Sequence, residues 1–338
     1  MQPVRTVQSG TLVGQLLHVG TKHCRGYLPS KDAVLTHWDE THSSLWGHKP
    51  IRIAHNLHKS PLFSLDTLAA LIERYPRELY NLVQTGSRES RRVWREGDIG
   101  NLSGRQVIDA IAAGTLWLNL RNVTDVDRSY SAIVTKLFEE VAARIPGFEM
   151  PEHKAGILIS SPKAQVYYHS DLPGQGLIQL VGRKRVFVYP STPPFVTPEC
   201  LEDIVFGVEV DMPYAEWYDS HAVVYDLEPG QMLHWPLNAP HRVENLDTVN
   251  ISMTISYTDE QIRRLQMVNF TNGLIRHRFG YRARSRATAG PSFLAKRILQ
   301  KLLRNSAWIR RERKARQSVD FRLDDSRPGD IVDLPRAA

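Results

Sequence analysis

Residues 165–190 read QVYYHSDLPGQGLIQLVGRKRVFVYP, and this stretch decides the fold class of the chain. It contains short apolar runs at 166–168, 177–181 and 186–189, separated by Gly, Pro, Ser and Asp. Runs of this length, rich in β-branched and aromatic residues and bounded by turn residues, are typical of β-strands. Similar runs continue to residue 255, and so many short strands indicate a closed or double-sheet β architecture, such as a jelly roll or cupin.

Helical patterns flank this β region on both sides. Ser64 and Ser103 stand at capping positions of two predicted helices, and residues 127–144 carry apolar side chains at helical spacing. A Thr-Asp-Glu-Gln capping pattern at 258–261 opens a helical region that continues to about residue 317. We therefore predict an α+β protein with a mostly helical region over 1–150 that packs on the barrel, and a β core over 151–257. A basic helical extension follows over 258–317 and a loosely attached tail over 318–338.

The β region contains three candidate metal ligands, His169, Asp171 and His241. His169 and Asp171 are two residues apart, so their side chains project from the same side of a strand or its end. His241 follows a Pro-Gly turn at 229–230 and a short apolar strand. Two imidazoles and one carboxylate on adjoining strands form a facial triad, which leaves metal positions open for substrate and oxygen. The alternative is a cupin-like barrel whose His and Asp residues are structural or bind another metal.

Other histidines and one tryptophan call for a different interpretation. His37 and Asp39 repeat the His-x-Asp spacing, but no apolar strands or Pro-Gly turn follow them, so we interpret them as part of a surface loop. His234 lies seven residues before His241, and we expect a buried structural role for it. We expect Trp117 to lie in the core, within a short buried strand over 116–120.

The order of motifs over 154–190 and 226–257 resembles the JmjC-type (cupin-like) 2-oxoglutarate oxygenases, especially the asparaginyl-hydroxylase branch and its bacterial relatives. The first half of the pattern is HSD at 169–171, the apolar run 177–181, GRKR at 182–185 and FVYP at 187–190. The second half is PG at 229–230, LHWP at 233–236, His241 and NISMT at 250–254. Both halves match in order and nearly in spacing, and the span from 154 to 257 that contains them is roughly a third of the chain.

The resemblance implies a double-stranded β-helix barrel and an Fe(II)- and 2-oxoglutarate-dependent dioxygenase. It implies hydroxylation of a protein side chain or a small molecule with O2, and release of succinate and CO2. His169, Asp171 and His241 match the iron ligands of the family. The residues placed near 2-oxoglutarate are Lys184, Thr254, Gln175 and Tyr168. Lys184 matches the residue that pairs with the distal carboxylate. Relatives carry a hydroxyl for the cosubstrate at the position of Val166, and Tyr168 or another group would replace it here. A non-catalytic cupin-like protein that binds a ligand or partner is the alternative.

The formal net charge of +7 is concentrated in one segment. Residues 276–316 hold fourteen Lys or Arg and one acidic residue, Glu312, so the rest of the chain is mildly acidic. Leu294, Ile298 and Leu302 recur at helical spacing within it. Such a basic helix fits an anionic partner, which could be nucleic acid, a membrane surface or an acidic protein. The other interpretation is a helix packed on the domain or on a second copy, and the resemblance also implies a homodimer.

Cysteine content and hydropathy bear on the compartment. Cys24 and Cys200 cannot form a disulfide framework, which favours a reducing compartment. No run approaches the ~20 apolar residues that cross a bilayer, and residues 1–20 lack the charged start and apolar middle of a secretory signal. We therefore expect a cytoplasmic protein without a transmembrane segment.

Overall fold

The computed structural model describes residues 33–85, 94–206, 212–303 and 319–335, and these residues form fifteen strands, eight α-helices and four short 3-10 helices. The strands are β1 (Leu35–His37), β2 (Ile51–His55), β3 (Tyr80–Thr85), β4 (Trp94–Asp98), β5 (Leu116–Leu120), β6 (Glu152–Ser160), β7 (Gln165–His169), β8 (Gly174–Val181), β9 (Lys184–Val188), β10 (Val223–Leu227), β11 (Gln231–Trp235), β12 (His241–Asn245), β13 (Asn250–Thr258), β14 (Phe321–Leu323) and β15 (Ile331–Asp333). The helices are α1 (Glu40–Leu45), α2 (Leu65–Glu73), α3 (Gly104–Ala113), α4 (Val123–Val126), α5 (Arg128–Ala142), α6 (Pro198–Phe206), α7 (Glu260–Phe279) and α8 (Gly290–Leu303). The expectations for Cys24, for the N-terminal residues 1–32 and for residues 304–318 of the basic extension lie outside the described residues.

The strands form two sheets, which confirms the α+β class. The large sheet has the order β1-β2-β11-β8-β13-β6-β5-β3-β4-β14-β15, and the small sheet has the order β10-β9-β12-β7. Along the chain from β6 to β13, successive strands alternate between the two sheets, except that β9 and β10 are neighbours in the small one. The sequence region 151–257 therefore folds as two interleaved sets of four strands.

Two hydrophobic cores lie on opposite faces of the large sheet. Between the two sheets, apolar side chains of both pack together, among them Leu158, Leu177, Val186, Leu233 and Val243. On the other face of the large sheet, helices α2, α3 and α5 bury their apolar stripes in a larger core. Full burial of one such apolar side chain stabilises the fold by about 1.5–3 kcal/mol. The helices thus close the outer face of the large sheet, and the inner face borders the space between the sheets.

The predicted helix starts are largely confirmed. The Ser64 side chain accepts a hydrogen bond from the Thr67 amide, and Ser103 forms a capping box with Gln106. The capping pattern expected at 258–261 is wrong, because Thr258 is the last residue of β13 and the side chain of Asp259 caps α7 instead. The carboxylate of Asp259 accepts from an amide in the first turn, which is the usual role of an N-cap residue.

The description of the tail needs correction, although the division into domains stays a prediction. Residues 35–120 supply five strands to the large sheet besides their helices. The tail is not loosely attached, because β14 pairs in parallel with β4 and Phe321 is fully buried. The ring of Phe321 lies over Gly97, which has no side chain to obstruct it.

Among the described residues, no helix combines the length and the apolar composition that spanning a membrane requires.

Candidate metal and cosubstrate site

Three side chains converge where β7 and β12 pair. His169 ends β7, His241 begins β12, and the two residues are direct partners in the antiparallel ladder. Asp171 follows in the turn after β7, and its Oδ2 lies 3.4 Å from Nε2 of His241 and 4.0 Å from Nε2 of His169. One potential ligand atom from each residue lies within 4.8 Å of the other two. The structure therefore brings together all three residues that the sequence singled out as metal ligands.

Backbone carbonyls fix the orientation of both imidazoles. Nδ1 of His169 lies 2.7 Å from the carbonyl oxygen of Tyr167, and Nδ1 of His241 lies 3.1 Å from that of Ala239. A carbonyl oxygen can only accept, so both Nδ1 atoms carry the proton and the Nε2 atoms face Asp171. Metal-binding histidines commonly donate their second ring N–H to such an oxygen, which fixes the tautomer in the metal-free protein.

The charge of the cluster also favours a cation. Burial raises the pKa of Asp171, but when both imidazoles are protonated a hydrogen bond from His241 and the two positive charges outweigh the effect of burial, and the pKa lies below its usual value. Two Nε2 lone pairs and a carboxylate oxygen repel one another unless a proton or a metal ion lies between them. His241 is buried beside the ring of Trp235, while His169 and Asp171 are about one-third exposed, at 36% and 34% of their side chains. The cluster is therefore shielded from solvent on the side of His241 and open to solvent on the side of His169 and Asp171.

A cavity of about 190 Å³ extends from this cluster into the space between the two sheets. Its wall includes the three clustered side chains together with Lys184, Gln175 and Thr254, each of which the sequence placed near the cosubstrate. The Thr254 hydroxyl lies 3.3 Å from the carbonyl oxygen of Gly156. Gln175 belongs to β8, and its own carbonyl accepts a hydrogen bond from His234.

Lys184 is the basic group of the cavity. Only 3% of the residue is exposed, and burial lowers the pKa of its ammonium group to about 7. No carboxylate of the described residues forms an ion pair with it. A buried ammonium without a counter-charge is unfavourable, and an anion bound in the cavity would relieve it.

Tyr168 lies outside the cavity, contrary to the expectation. It precedes His169 in the same strand, so its side chain points to the opposite face of the small sheet. There its hydroxyl donates to the carbonyl oxygen of Phe195 at 2.7 Å, and its ring packs against Tyr189 and Tyr218. Tyr168 is therefore a packing residue of the small sheet and cannot replace a cosubstrate hydroxyl.

The two competing histidine patterns have structural roles. His234 is fully buried, donates from Nδ1 to the carbonyl oxygen of Gln175 at 2.7 Å, and stacks on Trp46 at 3.7 Å. Burial lowers the pKa of His234 to about 4, so the ring stays neutral. His37, Asp39 and His42 also lie close together, but Asp39 caps α1 and both ring nitrogens of His42 already contact backbone atoms at 3.1 Å. This second cluster is a helix cap.

Sequence reasoning missed two residues of β5. Trp117 and Asn119 line the cavity, and Trp117 also packs against the hydrophobic core between the two sheets, where the sequence placed it. The residues between and beside them, Leu116, Leu118 and Leu120, fill the core on the other face of the strand. The alternation of Leu with Trp and Asn was the available signal, because it marks a strand with two different faces.

No protein-family model and no curated protein matches the chain. Similar solved structures include the X-ray structure of E. coli ycfD, which is 16% identical, covers 84% of this chain and 74% of that chain, and has a TM-score of 0.48. They also include YcfD, a ribosomal oxygenase from Escherichia coli, in complex with cobalt and 2-oxoglutarate, at 17% identity, 82% and 70% coverage and a TM-score of 0.45. The structure of YcfD with cobalt and succinic acid is 15% identical, with 82% and 70% coverage and a TM-score of 0.43. YcfD structures are thus structural neighbours of the chain, and at this distance the function has to be argued from the site itself.

Proposed function

We propose that the chain is an Fe(II)- and 2-oxoglutarate-dependent oxygenase that hydroxylates a protein side chain or a small molecule. The observation that carries the proposal is the pairing of two features in one cavity. Two imidazoles of fixed tautomer and a carboxylate converge at one end, and a buried, unpaired ammonium lines the same space. A metal ion and a dicarboxylate satisfy these two requirements together.

The strand order supports a double-stranded β-helix as the scaffold of this site. Strands β6 to β13 contribute β11-β8-β13-β6 to the large sheet and β10-β9-β12-β7 to the small one. Eight antiparallel strands that alternate between two facing sheets are the arrangement of jelly rolls and cupins. We propose that the remaining strands of the large sheet extend this core, and that the domain boundaries lie near residues 150, 257 and 317.

The donor set fits Fe(II). His169 and His241 would supply imidazole nitrogens, and Asp171 would supply a carboxylate oxygen. Two histidines and one carboxylate on one side of a metal, with the other side open, are typical of non-haem Fe(II) oxygenases. The partial exposure of His169 and Asp171 leaves room on that open side.

The spacing of Lys184 from the metal ligands fits 2-oxoglutarate. On β12, His241 pairs with Val188 and Asn245 pairs with Lys184. Lys184 is therefore four residues, or about 13 Å of strand, away from the metal-binding end of the small sheet. An extended lysine side chain and a five-carbon dicarboxylate that chelates the metal can bridge this distance together. The buried ammonium would pair with the distal carboxylate through a charge-assisted hydrogen bond, which is stronger than a neutral one. Thr254 and Gln175 would flank the same ligand.

The protein residues bind, orient and exclude water. Bound Fe(II) would supply the chemistry that couples O2 and 2-oxoglutarate to C–H hydroxylation, with succinate and CO2 as products. The carbonyls of Tyr167 and Ala239 hold the two imidazoles in the tautomer that binds the metal. Leu177, Trp235 and Val243 form an apolar part of the cavity wall.

The test is an anaerobic titration of the metal-free protein with Fe(II) and then with 2-oxoglutarate, followed by the visible charge-transfer absorption of the chelate. The band should require both additions, disappear in His241→Ala and weaken strongly in Lys184→Met. Matched controls are His37→Ala and Lys154→Met, which remove an exposed histidine and an exposed lysine outside the cavity and should leave the band unchanged. A folded protein that binds Fe(II) and shows no response to 2-oxoglutarate would be the non-catalytic, cupin-like binding protein instead.

A further inference from the structure

Strand β5 belongs to the N-terminal region and yet borders the cavity. It pairs with β6, with Trp117 opposite Ser160 and Asn119 opposite Leu158. Trp117 and Asn119 line the cavity from this strand, next to the eight strands of the proposed barrel. The cosubstrate pocket is therefore completed by a segment that the sequence motifs of the oxygenase family do not include.

Both residues present a buried polar atom without a hydrogen-bond partner. The atoms are Nε1 of Trp117 and Oδ1 of Asn119. The other buried side-chain nitrogens and oxygens without a partner, within the described ranges, belong to residues that do not line the cavity. Leaving such an atom unpaired costs about 1–3 kcal/mol. An indole N–H can only donate, so the group that would satisfy Trp117 is an acceptor such as a carboxylate oxygen.

Trp117 and Lys184 approach the same end of the cavity from opposite sheets. Lys184 faces Asn245 across the small sheet, and Trp117 faces Ser160 across the large one. The side chain of Asn245 donates to the Ser160 hydroxyl at 2.7 Å, which joins the two sheets at this level. The metal ligand His241 lies at the other end of β12.

From this placement we infer that Trp117 determines specificity at the distal end of the cosubstrate: its indole N–H donates to the distal carboxylate of 2-oxoglutarate, beside the ammonium of Lys184. The inference rests on the proposed function. Trp117 would then select dicarboxylic over monocarboxylic 2-oxo acids. The Trp117 ring makes an edge contact with Trp94, with the ring centroids 5.5 Å apart. Phenylalanine keeps an aromatic ring at this position and removes the N–H.

The experiment compares Trp117→Phe with the unmodified chain in two anaerobic titrations of the Fe(II)-loaded protein. One ligand is 2-oxoglutarate, and the other is 2-oxopentanoate, which has the same five carbons and no distal carboxylate. The variant should bind 2-oxoglutarate about 10- to 100-fold more weakly, since it loses a hydrogen bond to a charged group. Its affinity for 2-oxopentanoate should change by less than about twofold. Trp46→Phe is the matched control, because it removes another buried indole N–H outside the cavity and should not alter either affinity.

Two results would overturn the inference and leave the oxygenase assignment intact. One is an unchanged affinity for 2-oxoglutarate in Trp117→Phe. The other is an equal loss for both ligands, which would mean that the indole acts through packing alone. The affinity of the variant for Fe(II), measured separately, identifies a general distortion of the site. If the unmodified, Fe(II)-loaded chain binds neither 2-oxo acid, the proposed function itself fails and this inference fails with it.

Discussion

Replacing Lys184 with methionine should stabilise the metal-free protein while it removes cosubstrate binding. The residue is 3% exposed, and burial lowers the pKa of its ammonium from 10.5 to about 7. The folded state therefore binds fewer protons than the unfolded state between these two pH values, so the free energy of unfolding rises with pH across this window. A lowering of the pKa by this amount corresponds to a loss of roughly 5 kcal/mol in the free energy of unfolding. The full loss applies below pH 7, and it decreases to zero as the pH approaches 10.5. Methionine has a similar length and no charge, so the free energy of unfolding of the variant is not lowered by a buried ammonium.

Urea unfolding of both proteins from pH 6 to pH 9, in the presence of a chelator, measures the effect. The difference in unfolding free energy should be largest at pH 6, at a few kcal/mol, and should shrink as the pH rises. Lys154→Met, at a 42% exposed side chain, should show neither the gain nor the altered pH dependence. A Lys184→Met protein that is less stable than the unmodified chain at pH 6, or that has the same pH dependence, would refute the argument that the ammonium is buried without a counter-charge.

Three further predictions follow from packing and hydrogen bonding. Gly156→Ala should weaken 2-oxoglutarate binding about tenfold without altering Fe(II) affinity in calorimetric titrations, because its Cβ would lie 3.0 Å from Oδ1 of Asn119 in the cavity wall. Phe321→Ala should lower the free energy of unfolding by about 3–5 kcal/mol in urea, since the ring is fully buried. A loss below about 1 kcal/mol would show that the tail is loosely attached after all. Glu140→Gln should speed amide hydrogen exchange at Leu35, because one carboxylate oxygen accepts from that amide at 2.9 Å; unchanged exchange there would mean that the strand is held by its ladder alone.

The sequence was sufficient to identify the three residues that converge as candidate metal ligands, because their signal is local. His169 and Asp171 project from one side of a strand end, and a distal histidine after a Pro-Gly turn completes the set. The same alternation also separates Tyr168 from His169, so the expectation for Tyr168 conflicted with a rule that the sequence already contained. Its hydroxyl was assigned by analogy with relatives, and the strand geometry places it on the wrong face.

Long-range pairing explains what the sequence could not provide. Phe321 gave no sign of burial, because the surface that covers it includes Gly97, more than 200 residues earlier in the chain. The position of Trp117 in the cavity wall was missed for a related reason. An apolar pattern predicts burial, but only the pairing of β5 with β6 reveals that one face of the strand borders a cavity.

On the proposed function, the unsatisfied groups of the cavity predict that the metal and the cosubstrate bind cooperatively. Asp171 and the two Nε2 atoms repel one another, and a bound cation would relieve this repulsion. Lys184 and the indole N–H of Trp117 would be stabilised by a bound anion. A dicarboxylate that chelates the metal connects both ends, so each ligand completes part of the site that the other needs. Because coupling between two ligands is reciprocal, 2-oxoglutarate should tighten Fe(II) binding by the same factor by which Fe(II) tightens 2-oxoglutarate binding. Lys184→Met should reduce both factors together, although its side chain lies several residues along the ladder from the metal ligands.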